Sequence, residues 1–299
     1  MSTASPLWAI RLIAPDAALV PLLNALEEQV DSVSWFEAGV GQWRIEAICA
    51  REPDRPAVVS AVTQASADAG VTPLPVAIEA LPATDWLTEN RKSFAPVSAG
   101  RYFIHGSDHA GAVPVGAVAL QLDAGLAFGS GAHETTRGCL LALDGIAKIG
   151  KRPRRILDMG CGSGILALAA ARTWRAPVLA VDVDPIAVAV ARENARRNGL
   201  AGLVGATVGN GWRQAAVRRA GSFDLVTANI LAAPLRDMAR DFAKGLAPGG
   251  NAVLSGLLVE QEAGVLGAYR LQGLALTRRI RLAAWSTLVL HKENRRLQP

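Results

Sequence analysis

Apolar and polar positions along the first eighty residues switch repeatedly between two periods. Leu7-Trp8-Ala9-Ile10-Arg11-Leu12-Ile13 is rich in strand formers and stops at Pro15-Asp16, after which Leu19, Leu22, Leu23 and Leu26 recur at helical spacing between Ala17 and Gln29. Two strand patterns follow, Val33 to Phe36 and Trp43 to Ile48, separated by Gly39 and Gly41. A second helical pattern spans 54–69 with Val58, Val59 and Val62, and Pro75 to Glu79 reads as a closing strand. The order βαββαβ predicts a small ferredoxin-like α+β domain over residues 1–82. Residues 83–100 are polar with Trp86 and Phe94, and Thr84 or Asp85 can cap a helix there, so this stretch is expected to be a linker.

From residue 101 to the end the pattern predicts a second domain. Strands are expected at Arg155 to Met159, Val178 to Asp182, Gly205 to Val208, Phe223 to Ala228 and Ala252 to Ser255. Helical patterns at Ile165 to Arg172, Ile186 to Arg197 and Leu235 to Leu246 alternate with them, which is the spacing of an α/β fold. Leu274 to Leu282 and Trp285 to Leu290 are two strand-like runs joined by a short turn, so the parallel sheet should end in an antiparallel pair.

Composition narrows the setting. The 299 residues are 51% hydrophobic and 19% charged, too apolar for disorder and long enough for two cores. No apolar run approaches the roughly 20 residues of a membrane span, and Arg11 interrupts the short apolar stretch near the N-terminus, so no signal peptide is expected. Cys49, Cys139 and Cys161 are few and scattered, as in a reducing cytoplasm. The formal charge of +5 is uneven: residues 1–99 hold 6 basic and 12 acidic side chains, a balance of −6, against +11 for 100–299. The two parts therefore suit different partners.

Three segments carry chemistry. Asp158-Met159-Gly160-Cys161-Gly162-Ser163-Gly164 lies between a predicted strand and a predicted helix, where glycines let a backbone approach a ligand at a helix N-terminus. Asp182 closes the next strand, 22 residues after Gly160, where an acidic side chain can hold ribose hydroxyls. Asp184 before Pro185 reads instead as a helix cap. Gly160, Gly162 and Gly164 are one residue tighter than the dinucleotide fingerprint; with Asp158 they resemble motif I of the seven-stranded S-adenosylmethionine-dependent methyltransferases. The second segment is Leu126-Ala127-Phe128-Gly129-Ser130-Gly131-Ala132-His133-Glu134-Thr135-Thr136, in which Thr135 or Thr136 alone explains no more than a helix cap. The third is Asn229-Ile230-Leu231-Ala232 at the carboxyl end of a predicted strand, where open α/β sheets place ligands. Base methyltransferases put an aromatic at its fourth position to stack a flipped base; here it is Ala232, which favours an aliphatic amine.

The second and third segments together resemble the ribosomal protein L11 methyltransferase (PrmA) family, with Ser130 where the family pattern usually has Thr. The resemblance covers essentially the whole chain. It implies a seven-stranded Rossmann-like methyltransferase domain over 101–299, S-adenosylmethionine as cofactor, and methylation of lysine or N-terminal amines of the eleventh large-subunit ribosomal protein. Under it, Thr136, Gly160, Gly162, Asp182 and Asn229 contact the cofactor, Asn229 also orients the amine, and Phe128 helps wall the pocket. Residues 1–82 recognise the protein substrate, for which −6 suits a basic partner and does not suit RNA phosphates. A monomeric cytoplasmic enzyme needing neither metal, membrane nor nucleic acid is expected. Three other readings stand beside it: a protein-lysine methyltransferase sharing the cofactor pocket but with another target, such as the beta subunit of an electron-transfer flavoprotein; an RNA methyltransferase using the +11 part on phosphate; and a catalytically silent cofactor-binding module. His105 and His109 have metal-ligand spacing, but the glycines around them predict a loop. His133 is a candidate for substrate contact or for ordering its loop. The run Lys151-Arg152-Pro153-Arg154-Arg155 reads as a solvated approach to a strand.

Overall fold

The computed structural model describes residues 7–27, 29–39, 41–80, 96–122 and 133–293. The chain divides into two compact units, residues 1–88 and 89–299.

The first unit follows the expected order: β1 (Trp8–Pro15), α1 (Asp16–Glu27), β2 (Ser32–Gly39), β3 (Gln42–Cys49), α2 (Arg55–Asp68) and β4 (Ala77–Ala80). The strands form an antiparallel sheet in the order β2-β3-β1-β4. Alternate residues of β1 and β3, among them Ile10, Leu12 and Ile45, meet Leu22 and Leu26 of α1 and Val58 and Val62 of α2 in one buried cluster. The Asp54 carboxylate accepts from Ala57 N at 3.2 Å, capping α2. Residues 83–95 of the expected linker, Trp86 among them, lie outside the described residues; its last part, Val97–Ala99, forms a strand, β5.

In the second unit β5 joins β6 (Tyr102–His105) and β7 (Val118–Gln121) in a three-stranded sheet that the sequence reading missed. These strands are only three or four residues long, too short for a period to show. The main sheet contains β8 (Ile156–Met159), β9 (Val178–Asp182), β10 (Val204–Val208), β11 (Phe223–Asn229), β12 (Leu246–Leu258), β13 (Leu274–Leu282) and β14 (Trp285–Lys292), in the order β10-β9-β8-β11-β12-β14-β13. The first five pair in parallel, and β14 is antiparallel to both neighbours. Its helices are α3 (Glu134–Lys148), α4 (Ile165–Trp174), α5 (Pro185–Arg197), α6 (Ala215–Ala220), α7 (Ala232–Asp237), α8 (Ala239–Gly245) and α9 (Glu262–Arg270).

Two differences from the expected pattern have local causes. The helix expected over Leu235 to Leu246 is two short helices meeting at Met238, and Leu246 already belongs to β12, pairing with Phe223. Helix α9 went unread because Gly264 and Gly267 weaken its propensity; what holds it is packing of Val265, Leu266 and Tyr269 in the core. The ladder β9-β8-β11-β12 places the ends of β8, β9 and β11 side by side at one edge. Asp158, Asp182 and Asn229 all come from those ends.

Candidate functional site

The turn after β8 folds because its glycines take conformations that other residues resist. Gly160 has φ +67°, and a Cβ there would run into Ile230 Cγ2. Gly160 N and Cys161 N both donate to Val181 O, at 2.8 and 3.1 Å, so the turn is laced to the end of β9. Asp182 completes the lacing: Oδ2 accepts from Gly162 N at 2.8 Å and Oδ1 from Asp184 N at 3.0 Å. Each oxygen keeps a further lone pair for a ligand hydroxyl. Asp184 caps α5, accepting from Ile186 N at 2.7 Å ahead of Pro185.

Beneath the turn, Asp158 is fully buried and accepts from Thr227 Oγ1 at 2.7 Å and Ala167 N at 3.0 Å, tying β8 to β11 and to the first turn of α4. Burial pushes its pKa up to about 7, against those two hydrogen bonds and with help from the Asp182 charge. The folded protein thus holds a proton that the unfolded chain releases near 3.8. The stability Asp158 contributes is full at acid pH and lost as pH rises towards 7. Asp158→Asn cannot titrate, so urea unfolding midpoints of the parent should fall relative to this variant between about pH 4 and pH 7; parallel pH dependences would refute the assignment.

The third strand end supplies Asn229. Its Nδ2 donates to Thr136 Oγ1 at 3.3 Å, while its Oδ1 is buried with no hydrogen-bond partner among the described residues. A buried carbonyl oxygen left unpaired costs about 1–3 kcal/mol, which makes this acceptor a candidate for a ligand hydrogen bond. Ile230 fixes the direction of this segment: its N donates to Ser255 O at 3.1 Å, and its flanks touch Gly160 and Gly256. Gly256 has φ +84°, and a Cβ there would lie 2.7 Å from the Ile230 carbonyl carbon, so the two chains pass closer than any side chain allows.

The N-terminus of α3 brings in the second sequence segment. Residues 126–132, including Phe128 and Ser130, lie outside the described residues, and its end, His133 to Thr136, is described. The cap of α3 is His133 rather than a threonine: its Nδ1 accepts from Thr135 N at 3.3 Å and lies 2.8 Å from Thr135 Oγ1. Burial lowers the His133 pKa, which suits a neutral ring accepting through Nδ1. Its ring meets Trp285 edge to face, with centroids 4.9 Å apart. Ser255 Oγ reaches Thr135 O at 3.3 Å and Thr287 Oγ1 at 2.8 Å, pinning this helix start to β12 and β14. Sequence reasoning missed Ser255, Ile230 and Trp285, whose roles come from neighbours remote in sequence. Only the small Ser255-Gly256 pair inside a strand pattern hinted at a close approach.

The structure thus brings together Thr136, Gly160, Gly162, Asp182 and Asn229 on one sheet edge and the helix facing it. His105 ends β6 and His109 follows in a loop, their rings 5.4 Å apart against Phe103. Among the described residues no cluster of three or more His, Cys, Asp or Glu forms a metal site. Cys49, Cys139 and Cys161 are free and buried, and burial raises the Cys161 thiol pKa, so it is no nucleophile.

Residues 21–293 match the family model described as ribosomal protein L11 methyltransferase (PrmA). A protein of that name from Rhodopseudomonas palustris is 40% identical over 285 residues, 94% of this chain and 96% of the relative. Another, from Rhizobium meliloti, is 48% identical over 219 residues, 73% and 74% of the two chains. Among solved structures, a ribosomal protein L11 methylase from Lactobacillus delbrueckii subsp. bulgaricus aligns with TM-score 0.60 and 26% identity, covering 67% of this chain and 99% of that one.

Proposed function

This chain belongs to the ribosomal protein L11 methyltransferase family, a family of S-adenosylmethionine-dependent methyltransferases, and on that premise we propose that it methylates amines of ribosomal protein L11 at the Asn229 edge. The observation that carries the reading is the buried, unpartnered Asn229 Oδ1 beside the glycine turn. The residues fit the cofactor: a left-handed glycine turn admits a backbone-hugging ligand, and the Asp182 carboxylate has lone pairs to spare for ribose hydroxyls. S-adenosylmethionine supplies an electrophilic methyl group on a sulfonium, poised for in-line displacement by nitrogen.

What the chain adds is binding, aim and dryness. Gly160 and Gly162 let the turn pass the ligand, Asp182 holds the ribose, and Thr136 steadies the site from α3. Asn229 Oδ1 accepts an N–H of the incoming amine, which leaves the nitrogen lone pair free to point at the methyl carbon. That amine must arrive neutral. A lysine near pKa 10.4 is mostly charged at neutral pH, while an α-amine near 7.7–8.0 is partly free. Selecting and desolvating the neutral form supplies rate without a strong base. Leu231, 60% exposed beside Asn229, offers aliphatic surface to the methylene stem of a lysine.

In this reading residues 1–82 form the ferredoxin-like module that recognises the basic substrate protein, 83–100 link it, and 101–299 form the Rossmann-like catalytic domain. The strand order β2-β3-β1-β4 and the charge balance of −6 support the module's role. The enzyme works as a cytoplasmic monomer, and the catalysed step needs no nucleic acid; among the described residues no helix is long and apolar enough to cross a membrane. The test is incubation with methyl-labelled cofactor and separated ribosomal proteins or ribosomal RNA. Label should enter L11, and label confined to RNA, or to other proteins, would overturn the proposal.

A further inference from the structure

The parallel sheet has a second edge, where β8 begins and the helices end. Helix α3 finishes at Lys148, α4 at Trp174, and the run Lys151 to Arg155 leads into β8 at Ile156. From there the chain runs through β8 to the turn at Gly160, roughly 13 Å away at four residues of about 3.3 Å each, so this edge faces away from Asn229 and Asp182. A cleft of about 320 Å³ opens at this edge, lined by Arg101, Lys151, Arg152, Thr173 and Trp174. Sequence reasoning took Lys151 to Arg155 for a solvated approach, but the fold makes it a wall. Pro153 is buried and anchors the run, while Lys151 and Arg152 just before it are exposed and line the cleft.

The charges of the cleft are largely uncompensated. Asp144 of α3 takes Arg101 Nε at 2.6 Å and Lys148 Nζ at 2.7 Å, neutralising one of those two cations. Among the described residues no carboxylate lies within ion-pair distance of Lys151 or Arg152. Helix C-termini account for cations in a last turn, such as Lys148, but Lys151 and Arg152 come after α3 has ended. Trp174 adds an aromatic wall: its Nε1 donates to Lys151 O at 2.9 Å, which holds the indole against the basic run. The next residue, Arg175, is exposed and takes a left-handed φ of +52°, where glycine is usual, as it ends α4.

We propose that this cleft binds a single-stranded nucleic acid, with phosphates against Lys151 and Arg152 and a base on Trp174. Unpaired cations alone attract any polyanion; cations flanking a held indole in a cleft of nucleotide size select a strand with unstacked bases. The strand is a docking partner on the side remote from the methylated amine, not the methylated substrate. A methyltransferase so equipped is held near RNA-bearing particles while its other edge works on protein.

Fluorescence anisotropy of the full chain with a labelled 12-nucleotide RNA tests this across a salt series. Binding should weaken steeply with salt, and Lys151→Ala/Arg152→Ala should lower affinity roughly tenfold and flatten the log–log salt slope by about 1.4, at about 0.7 for each phosphate no longer neutralised. Both side chains are exposed, so the double variant should fold normally and keep its methyl transfer to free protein. An abasic strand of equal length should bind about 5-fold or more weaker, and a DNA strand of the same sequence reports whether the 2′-hydroxyl is read. No binding at 50 mM salt, an unchanged slope in the double variant, or equal affinity for the abasic strand would each overturn the proposal. The readout is binding, so failure here leaves the Asn229 reading standing.

Discussion

Asn229→Ala is expected to lower kcat about 10²–10³-fold while folding is unchanged, because in the proposed mechanism it removes the acceptor that orients the amine. The side chain is small and ends a strand whose register is held by β8 and β12, so its loss leaves the ladder intact. Removing the unsatisfied oxygen spares its desolvation cost and offsets the lost Nδ2 hydrogen bond to Thr136, so the stability of the variant should stay within about 1 kcal/mol of the parent. Cofactor affinity should move only a few-fold, since Asp182 and the glycine turn remain. This split between kcat and affinity separates an amine-orienting role from a merely structural one. Thr136→Val serves as the graded control: it deletes the hydroxyl that receives Asn229 Nδ2 at 3.3 Å, and a lost neutral hydrogen bond of about 0.5–1.5 kcal/mol predicts a drop of about 2–12-fold. Near-normal turnover of Asn229→Ala with purified substrate would remove Asn229 from the mechanism.

Much of this site was legible in sequence because it is built from strand ends. A parallel strand announces itself by its apolar run, and topology puts the residue that ends the run at the carboxyl edge of the sheet; Asp182 and Asn229 stand at such ends. Glycines at fixed offsets gave the turn after β8. Illegible were contacts whose partners lie far apart in the chain. Nothing local says that Ile230 will be clamped between Gly160 and Gly256, or that Ser255 will hold the start of α3. The cap of α3 differs for a related reason: His133 is not a usual capping type, and its Nδ1 accepts from Thr135 N while burial disfavours charging the ring. The short strands β5, β6 and β7 carried too few residues to reveal a period. The run Lys151 to Arg155 was visible, but the cleft it walls exists only once two helix ends meet it.

Asp182→Ala is expected to weaken cofactor affinity about 10–150-fold, the larger of the binding effects at this edge. Hydrogen bonds from a neutral hydroxyl to a carboxylate contribute about 1.5–3 kcal/mol, and each 1.4 kcal/mol is a factor of ten. The loss has a second component, since the same carboxylate receives Gly162 N at 2.8 Å and so holds the turn against β9. Alanine removes both, whereas Asp182→Asn keeps one acceptor oxygen. If that oxygen stays on Gly162 N, the turn keeps its shape and only the charge is lost, so Asn should fall between the parent and Ala in affinity. Titration calorimetry with S-adenosylhomocysteine, which carries the same ribose without the transferable methyl, separates this from any effect on turnover. Equal affinities for Asp182→Ala and the parent would show that the ribose is held elsewhere. Equal losses for Asn and Ala would instead locate the whole effect in the charge and leave the turn's shape independent of Asp182.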